Sequence, residues 1–143
     1  MIIDEPKALA DRYELIWRGH LQDALGHYYK VRSDFNGDRD PAKLLYLLAR
    51  CVKNAVRFND RGEFNQSADK RRLGSKPERV RREIFQAHDL LVGHATSTGL
   101  DYVEVLAEAT SNDIVYMDPP WQGTSGEKDT RYHQILDRHK LIN

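Results

Sequence analysis

Four consecutive residues, Asp118-Pro119-Pro120-Trp121, set a carboxylate, two prolines and a flat indole directly after the apolar run Ile114-Val115-Tyr116-Met117. Such a tetrad suits the chemistry of an exocyclic amine. A carboxylate oxygen of Asp118 and the carbonyl of Pro119 are acceptors only, so together they can hold both hydrogens of an NH2 group. Held that way, the nitrogen lone pair leaves conjugation and is aimed at an electrophile. Pro119 and Pro120 stiffen the turn and preorganise the acceptors, and Trp121 offers a face on which a base can stack. Asp-Pro-Pro-aromatic should arise by chance in only about 2 of 1,000 chains this long. The tetrad is therefore read as functional rather than as an ordinary strand-ending turn.

A second chemical feature lies upstream. Arg57-Phe58-Asn59-Asp60-Arg61-Gly62-Glu63-Phe64-Asn65 mixes arginines and amides around a glycine, and residues 67–82 follow with seven Lys/Arg against Asp69 and Glu78, a local excess of five. Arg57, Arg61, Lys70, Arg71 and Arg72 can neutralise phosphates, while Asn59 and Asn65 can serve backbone or base edges. Arg79, Arg81 and Arg82 read equally well as the solvated face of a helix.

The elements that must position these groups follow from periodicity. Apolar residues from Lys7 to Lys30 keep a helical period, with Gly19 and Gly26 allowing two helices rather than one. Ser33 to Asp38 is turn chemistry. Asp40-Pro41 supplies an N-cap and a first-turn proline for a leucine-rich helix (Leu44, Leu45, Leu47, Leu48, Cys51, Val52) apolar on most of its circumference and central to the core. Lys53 to Gly74 predicts an ordered but irregular loop. Ser75 and Glu78 form a capping box that starts a helix running to about His88, and Asp101 with Glu104 repeats the pattern. Asp89 to Val92 predicts a short strand. Ile114 to Met117, an unalternating run, predicts a strand buried on both faces of a parallel sheet. A site just beyond its carboxyl end is where open α/β sheets carry their chemistry. Gly123 to Gly126 predicts a loop, either one that closes over a substrate base or a plain connection, and a last helix is expected from Tyr132.

Val115-Tyr116-Met117-Asp118-Pro119-Pro120-Trp121 resembles the V-Y-C-Asp-Pro-Pro-Tyr of the Dam-like, D12-class DNA adenine-N6 methyltransferases. The segment from Asn54 to Asn65, after the leucine-rich helix, resembles that family's N-G-L-x-R-x-N-x-x-G-x-F-N. The likeness spans roughly Tyr28 to Tyr132. It implies a target-recognition region around Arg57, Asn59, Arg61 and Asn65 with Lys70, Arg71 and Arg72. It also implies catalysis by Asp118, Pro119, Pro120 and Trp121, with Asp118 beside the methyl donor S-adenosylmethionine and double-stranded DNA as substrate. The fold class implied is α/β, a mostly helical segment (1–88) joined to a partial Rossmann-like catalytic region (89–143). Departures matter too. Trp121 replaces the usual Tyr, Asn54-Ala55 replaces Asn-Gly, and none of the nine glycines forms the G-x-G of the family's donor loop. The chain is thus expected to be part of a methyltransferase, inactive alone, whose donor motif comes from a second polypeptide or a missing segment. Asp-Pro-Pro-Trp is also the version found in messenger-RNA adenosine methyltransferases, which keeps RNA open as a substrate. A non-catalytic DNA-binding or subunit-interaction module is the reading from another class.

Composition sets the outer limits. The 143 residues suit one domain, Lys+Arg and Asp+Glu balance at 22 each, and a 40% apolar, 31% charged mixture is that of a globular chain. A polycationic tail is excluded; a local basic patch is not. A single cysteine, Cys51, excludes an internal disulfide and reads as a small core residue. The six histidines form no metal-binding spacing and are expected at surfaces or caps. With no membrane-length apolar run and no signal pattern, a cytoplasmic location is expected.

Overall fold

Pro6, Pro41 and Pro77 each open a helix in the computed structural model, which describes residues 2–118. Proline at a first turn loses no hydrogen bond, because that N–H has no partner within the helix. Helix α1 spans Pro6–Arg18, and a short 3-10 turn over Gly19–Leu21 separates it from α2, Ala24–Asp38. Helix α3 spans Pro41–Arg50, α4 Pro77–Leu91 and α5 Tyr102–Ala107. The expected break near Gly19 is present. A Cβ there would strike the ring of His27, whose Nε2 lies 2.7 Å from the Ile16 carbonyl. Asp23 then caps α2, accepting from the N–H groups of Leu25 and Gly26.

The core forms where α3 packs on α1 and α2, with α4 packed on α1 as well. Buried side chains repeat at helical spacing: Leu9 and Tyr13 on α1, Tyr28, Val31 and Phe35 on α2, Tyr46 and Leu47 on α3, Val80 and Ile84 on α4. Asp40 caps α3 by accepting from the Ala42 N–H at 2.9 Å, as the sequence predicts. Leu44, Leu45 and Leu48 are only half-buried, so the α3 face turned wholly inward is that of Ala42, Tyr46 and Leu47. Cys51 is a buried core thiol whose pKa burial pushes up.

Several expectations give way. Ser33 to Asp38 is no turn: α2 runs through it to Asp38 and closes on Arg39 in the left-handed region, φ 57°. Continuing the Tyr28–Val31–Phe35 stripe buries a phenylalanine, worth about 2 kcal/mol, against the roughly 1 kcal/mol that Gly37 costs inside a helix. Ser75 and Glu78 make no capping box. Lys76 is the N-cap, and the Ser75 carbonyl instead accepts from the Tyr13 hydroxyl at 2.7 Å. Asp89 to Val92 is the last turn of α4 and its cap rather than a strand.

Ile114 to Met117 is irregular and solvent-facing, with Ile114 98% and Tyr116 87% exposed. A strand needs a neighbour to satisfy its peptide groups, and the described residues hold only two isolated bridges and no sheet. The described fold is therefore helical, without the Rossmann-like sheet expected of its second part. The capping box at Asp101 and Glu104 is present and starts α5. His20 departs from a surface placement. It is buried, and desolvation holds its pKa below the ordinary value, with Arg50 and His27 pushing the same way against the Trp17 carbonyl. Among the described residues no helix is long and apolar enough to cross a membrane.

Gly37→Ala should stabilise the chain by about 0.5 kcal/mol in urea unfolding, since its Cβ would meet open space on a helix; a loss of stability would mean a turn with positive φ. Burial of neutral His20 makes stability full above pH about 6.5, the ordinary histidine value, and lost as pH falls through its lowered folded value. His20→Asn keeps a donor without titrating, so its loss between pH 7.5 and 5.5 should be smaller than the wild type's. Equal losses would remove His20 from the account.

Candidate nucleic-acid interface

Residues 57–65 fold back on themselves as a short hairpin-like loop. Phe58 and Phe64 bridge antiparallel, the Asn65 N–H donates to the Arg57 carbonyl at 3.0 Å, and the Asn59 N–H to the Glu63 carbonyl at 2.9 Å. Asn59 organises the tip with its side chain. Its Oδ1 accepts from the N–H groups of Arg61 and Glu63, while its Nδ2 donates to the Glu63 carboxylate at 2.7 Å. Gly62 turns the chain at φ 71°, a region that glycine reaches without steric cost. Asn59 is thus committed to the loop itself, an Asx-type closure, rather than held out for a base.

One face of α2 carries the loop. The Asn36 amide pairs both ways with the Phe64 backbone, its Nδ2 donating to the carbonyl at 3.1 Å and its Oδ1 accepting from the N–H at 2.8 Å. Arg39 Nη2 donates to the Gly62 carbonyl at 2.9 Å. Arg32 Nη1 reaches the carbonyls of Asn65 and Gln66, and the Tyr28 hydroxyl donates to that of Gln66 at 3.0 Å. Beneath them Phe64 is buried edge-on to Phe35 and Phe58. The result leaves Arg57, Arg61 and Asn65 exposed on the outside.

The chain returns along the end of α3. The Val52 N–H donates to the Ser67 carbonyl, the Asp69 N–H to the Arg50 carbonyl, and Gln66 Nε2 to the Val52 carbonyl. Lys70, Arg71 and Arg72 then form an exposed turn hung on buried Asp69, whose carboxylate accepts from the Arg71 N–H and lies 3.8 Å from Arg71 Nε and 3.6 Å from Arg72 Nε. Arg72 also donates to Asn54 Oδ1. Lys53 and Asn54 both hold positive φ, 60° and 52°, where non-glycine residues carry strain. Ala55, which stands where the family pattern has glycine, follows at φ −98° and carries no such strain.

Charge is sorted differently on α4. Arg81 bridges to Asp11 at 2.6 Å and Glu14 at 3.2 Å on α1, and Arg79 pairs with Glu83 at 2.7 Å. The bond from Arg81, with that from Arg18, holds the Glu14 carboxyl below its usual range. These two arginines act within the fold, whereas Arg57, Arg61 and Lys70 have no acidic partner among the described residues. The cations expected at a nucleic acid thus lie on two adjoining pieces, the loop tip and the Asp69 turn, with Arg72 joined to Asn54 between them.

Asp118 is exposed and has no hydrogen bond or ion pair to either piece among the described residues. Pro119, Pro120 and Trp121 lie outside the described residues, as do the 123–126 loop, Tyr132 and the last helix. No group of three or more metal-ligating side chains gathers among the described residues. Residues missed at first are Asn36 and Arg39, with Arg32. The i, i+4, i+8 spacing of Tyr28, Arg32 and Asn36 could have revealed their common helix face.

Comparison with known proteins gives one family. Its sequence model, D12 class N6 adenine-specific DNA methyltransferase, matches residues 1–140. The chain is 30% identical over 125 residues to a DNA adenine methylase of Serratia marcescens, covering 81% of this chain and 45% of that protein. It is 29% identical over 111 residues to the DNA adenine methylase of Escherichia coli K12, covering 74% and 38%. It is 29% identical over 119 residues to the retron Ec67 DNA adenine methylase of Escherichia coli, covering 74% and 40%. The chain therefore spans less than half the length of the curated relatives it matches. With a family match along nearly its whole length, the chain belongs to the D12 class of N6 adenine-specific DNA methyltransferases.

Proposed function

We propose that this chain is the DNA-recognition part of an adenine-N6 methyltransferase that uses S-adenosylmethionine. The observation that carries the reading is the loop of residues 57–65, fixed on α2 with Arg57 and Arg61 outward and without acidic partners among the described residues. Duplex DNA would lie across this tip and the Lys70–Arg72 turn, its phosphates neutralised by the five cations. Residues 1–88 would form the recognition region. Residues 89–143 would belong to the catalytic part, where a flipped adenine stacks on Trp121 with its amino hydrogens on Asp118 and the Pro119 carbonyl. The exposed apolar run Ile114 to Met117 supports a place against further sheet structure, since large contiguous apolar exposure marks a surface that meets another one.

Bound S-adenosylmethionine supplies an electrophilic methyl group. The described residues do not build a pocket for it. A cavity of about 1010 Å³ between α1, α3 and the end of α4 is walled by Leu44, Leu45, Leu48 and Leu91, with Asp4 and His94 as its charged or titratable lining. Among the described residues, besides these two, only Thr96 and Ser97 offer side-chain polar atoms to the donor's charged amino-acid end and ribose hydroxyls, and no cation lines the cavity to meet its carboxylate. Other parts of the family's fold would hold the donor. The isolated chain should then bind duplex without methylating it.

In fluorescence anisotropy with an adenine-containing duplex, Kd should rise steeply with salt. Arg57→Ala or Arg61→Ala should each lower the slope of log K against log salt by about one. A slope near zero would contradict the DNA reading, and tighter binding of a matched RNA would favour the RNA one. With the donor-binding part of a relative supplied, methyl transfer should appear, and Asp118→Ala should reduce it about 100-fold or more while leaving binding intact. Unchanged transfer would leave the non-catalytic module standing.

A further inference from the structure

The α2 face does more than cover a loop. The two arms of the hairpin pair with each other, and along the outer edge of residues 62–66, where a sheet would place a third strand, the partner is a row of helix side chains. The Asn36 amide supplies the pair of bonds that a neighbouring peptide would supply to Phe64. Arg39 holds Gly62, the residue at which the tip turns, and itself adopts the left-handed conformation at the end of α2. Its guanidinium lies 5.4 Å from the Phe35 ring, which fixes the side chain laterally. The bonds of Asn59 to Arg61, Gly62 and Glu63 couple Arg61 to the turn, and the bond from the Asn65 N–H to the Arg57 carbonyl couples Arg57 to the arm that carries Phe64.

We propose that Asn36 and Arg39 are positioning residues for DNA recognition, setting the register at which the 57–63 tip presents Arg57 and Arg61 to the duplex. The inference rests on the DNA reading above and adds two residues that touch no nucleic acid. Asn36 fixes where the returning strand sits, and Arg39 fixes where the chain turns. Asn36 carries no charge and the Arg39 guanidinium is turned to the Gly62 carbonyl, so each is assigned a role through the two arginines of the loop rather than through a phosphate contact of its own.

A double-mutant cycle on the full 143-residue chain tests this, with affinity for an adenine-containing DNA duplex measured across a salt series. Asn36→Ala should weaken binding about tenfold, the scale of a lost part-buried hydrogen-bond pair, and lower the salt slope by about one. In an Arg57→Ala/Arg61→Ala background the same change should cost less than about twofold, because the groups it positions are gone. Arg39→Ala should behave alike, and Arg39→Lys, which keeps a donor for the Gly62 carbonyl, should recover most of the loss. Should Asn36→Ala fail to fold by circular dichroism, the Arg39 pair gives the same reading from an exposed position. Losses that multiply independently of the arginines, or no loss from either variant, would overturn this inference alone. A wild-type chain that shows no salt-dependent duplex binding would overturn both it and the DNA reading.

Discussion

A loop whose backbone is partly buried must bond its peptide groups, because each one left unmatched away from water costs about 1–3 kcal/mol. Residues 62–69 face that demand without a sheet. Phe64, Gln66, Ala68 and Asp69 are all buried, and the carbonyls of Gly62, Phe64, Asn65 and Gln66 find their donors on α2. The Ser67 carbonyl and the Asp69 N–H meet the end of α3 at Val52 and Arg50, while the Gly62 N–H, Glu63 carbonyl and Asn65 N–H meet the facing arm of the hairpin. Whatever the chain recognises, its basic surface is shaped by this set of helix-to-backbone bonds.

The helices gain their own positions from more ordinary forces. Aromatic and aliphatic burial along α1, α2 and α3 supplies the drive, and Tyr13 ties α1 to the chain entering α4 through the Ser75 carbonyl. Burial pushes the Tyr13 hydroxyl up to about 12, so it stays a neutral donor across the physiological range. Gly74 shows how closely the returning chain passes. At φ 84° it lies against Arg50, and a Cβ there would come within 2.9 Å of the Arg50 side chain. Ion pairs at Arg79 and Arg81 lie on the exposed side of the bundle. Pairs of that kind contribute about 1 kcal/mol or less, so those of Arg81 orient α4 on α1 more than they hold it, and that of Arg79 with Glu83 stays within α4.

What could be read in the sequence was what is decided locally. Asp40 with Pro41, and Asp101 with Glu104, are closed by bonds within four residues, and both caps stand as expected. The collapse of apolar density after Val52 marks an irregular stretch, and it is one. Ser33 to Asp38 misled because Asn36 and Gly37 carry turn propensity, while the deciding bonds of Asn36 run 28 residues away to Phe64. The same distance hid the role of Arg39, whose partner Gly62 is 23 residues on. Ile114 to Met117 has the composition of a strand, but that composition describes a fit to neighbours, and none lies among the described residues. The chemistry proposed for Asp118 is therefore still carried by the sequence, whereas that of the basic loop is carried by geometry.

Backbone amide chemical shifts of the labelled chain, followed while a short adenine-containing duplex is added, report most directly on where nucleic acid meets this surface. The largest movements are expected at the amides of Arg57 to Gly62 and of Lys70 to Arg72, with the outer face of α4 around Arg79 and Glu83 still. Movements centred on α4, or none along the loop, would contradict this placement.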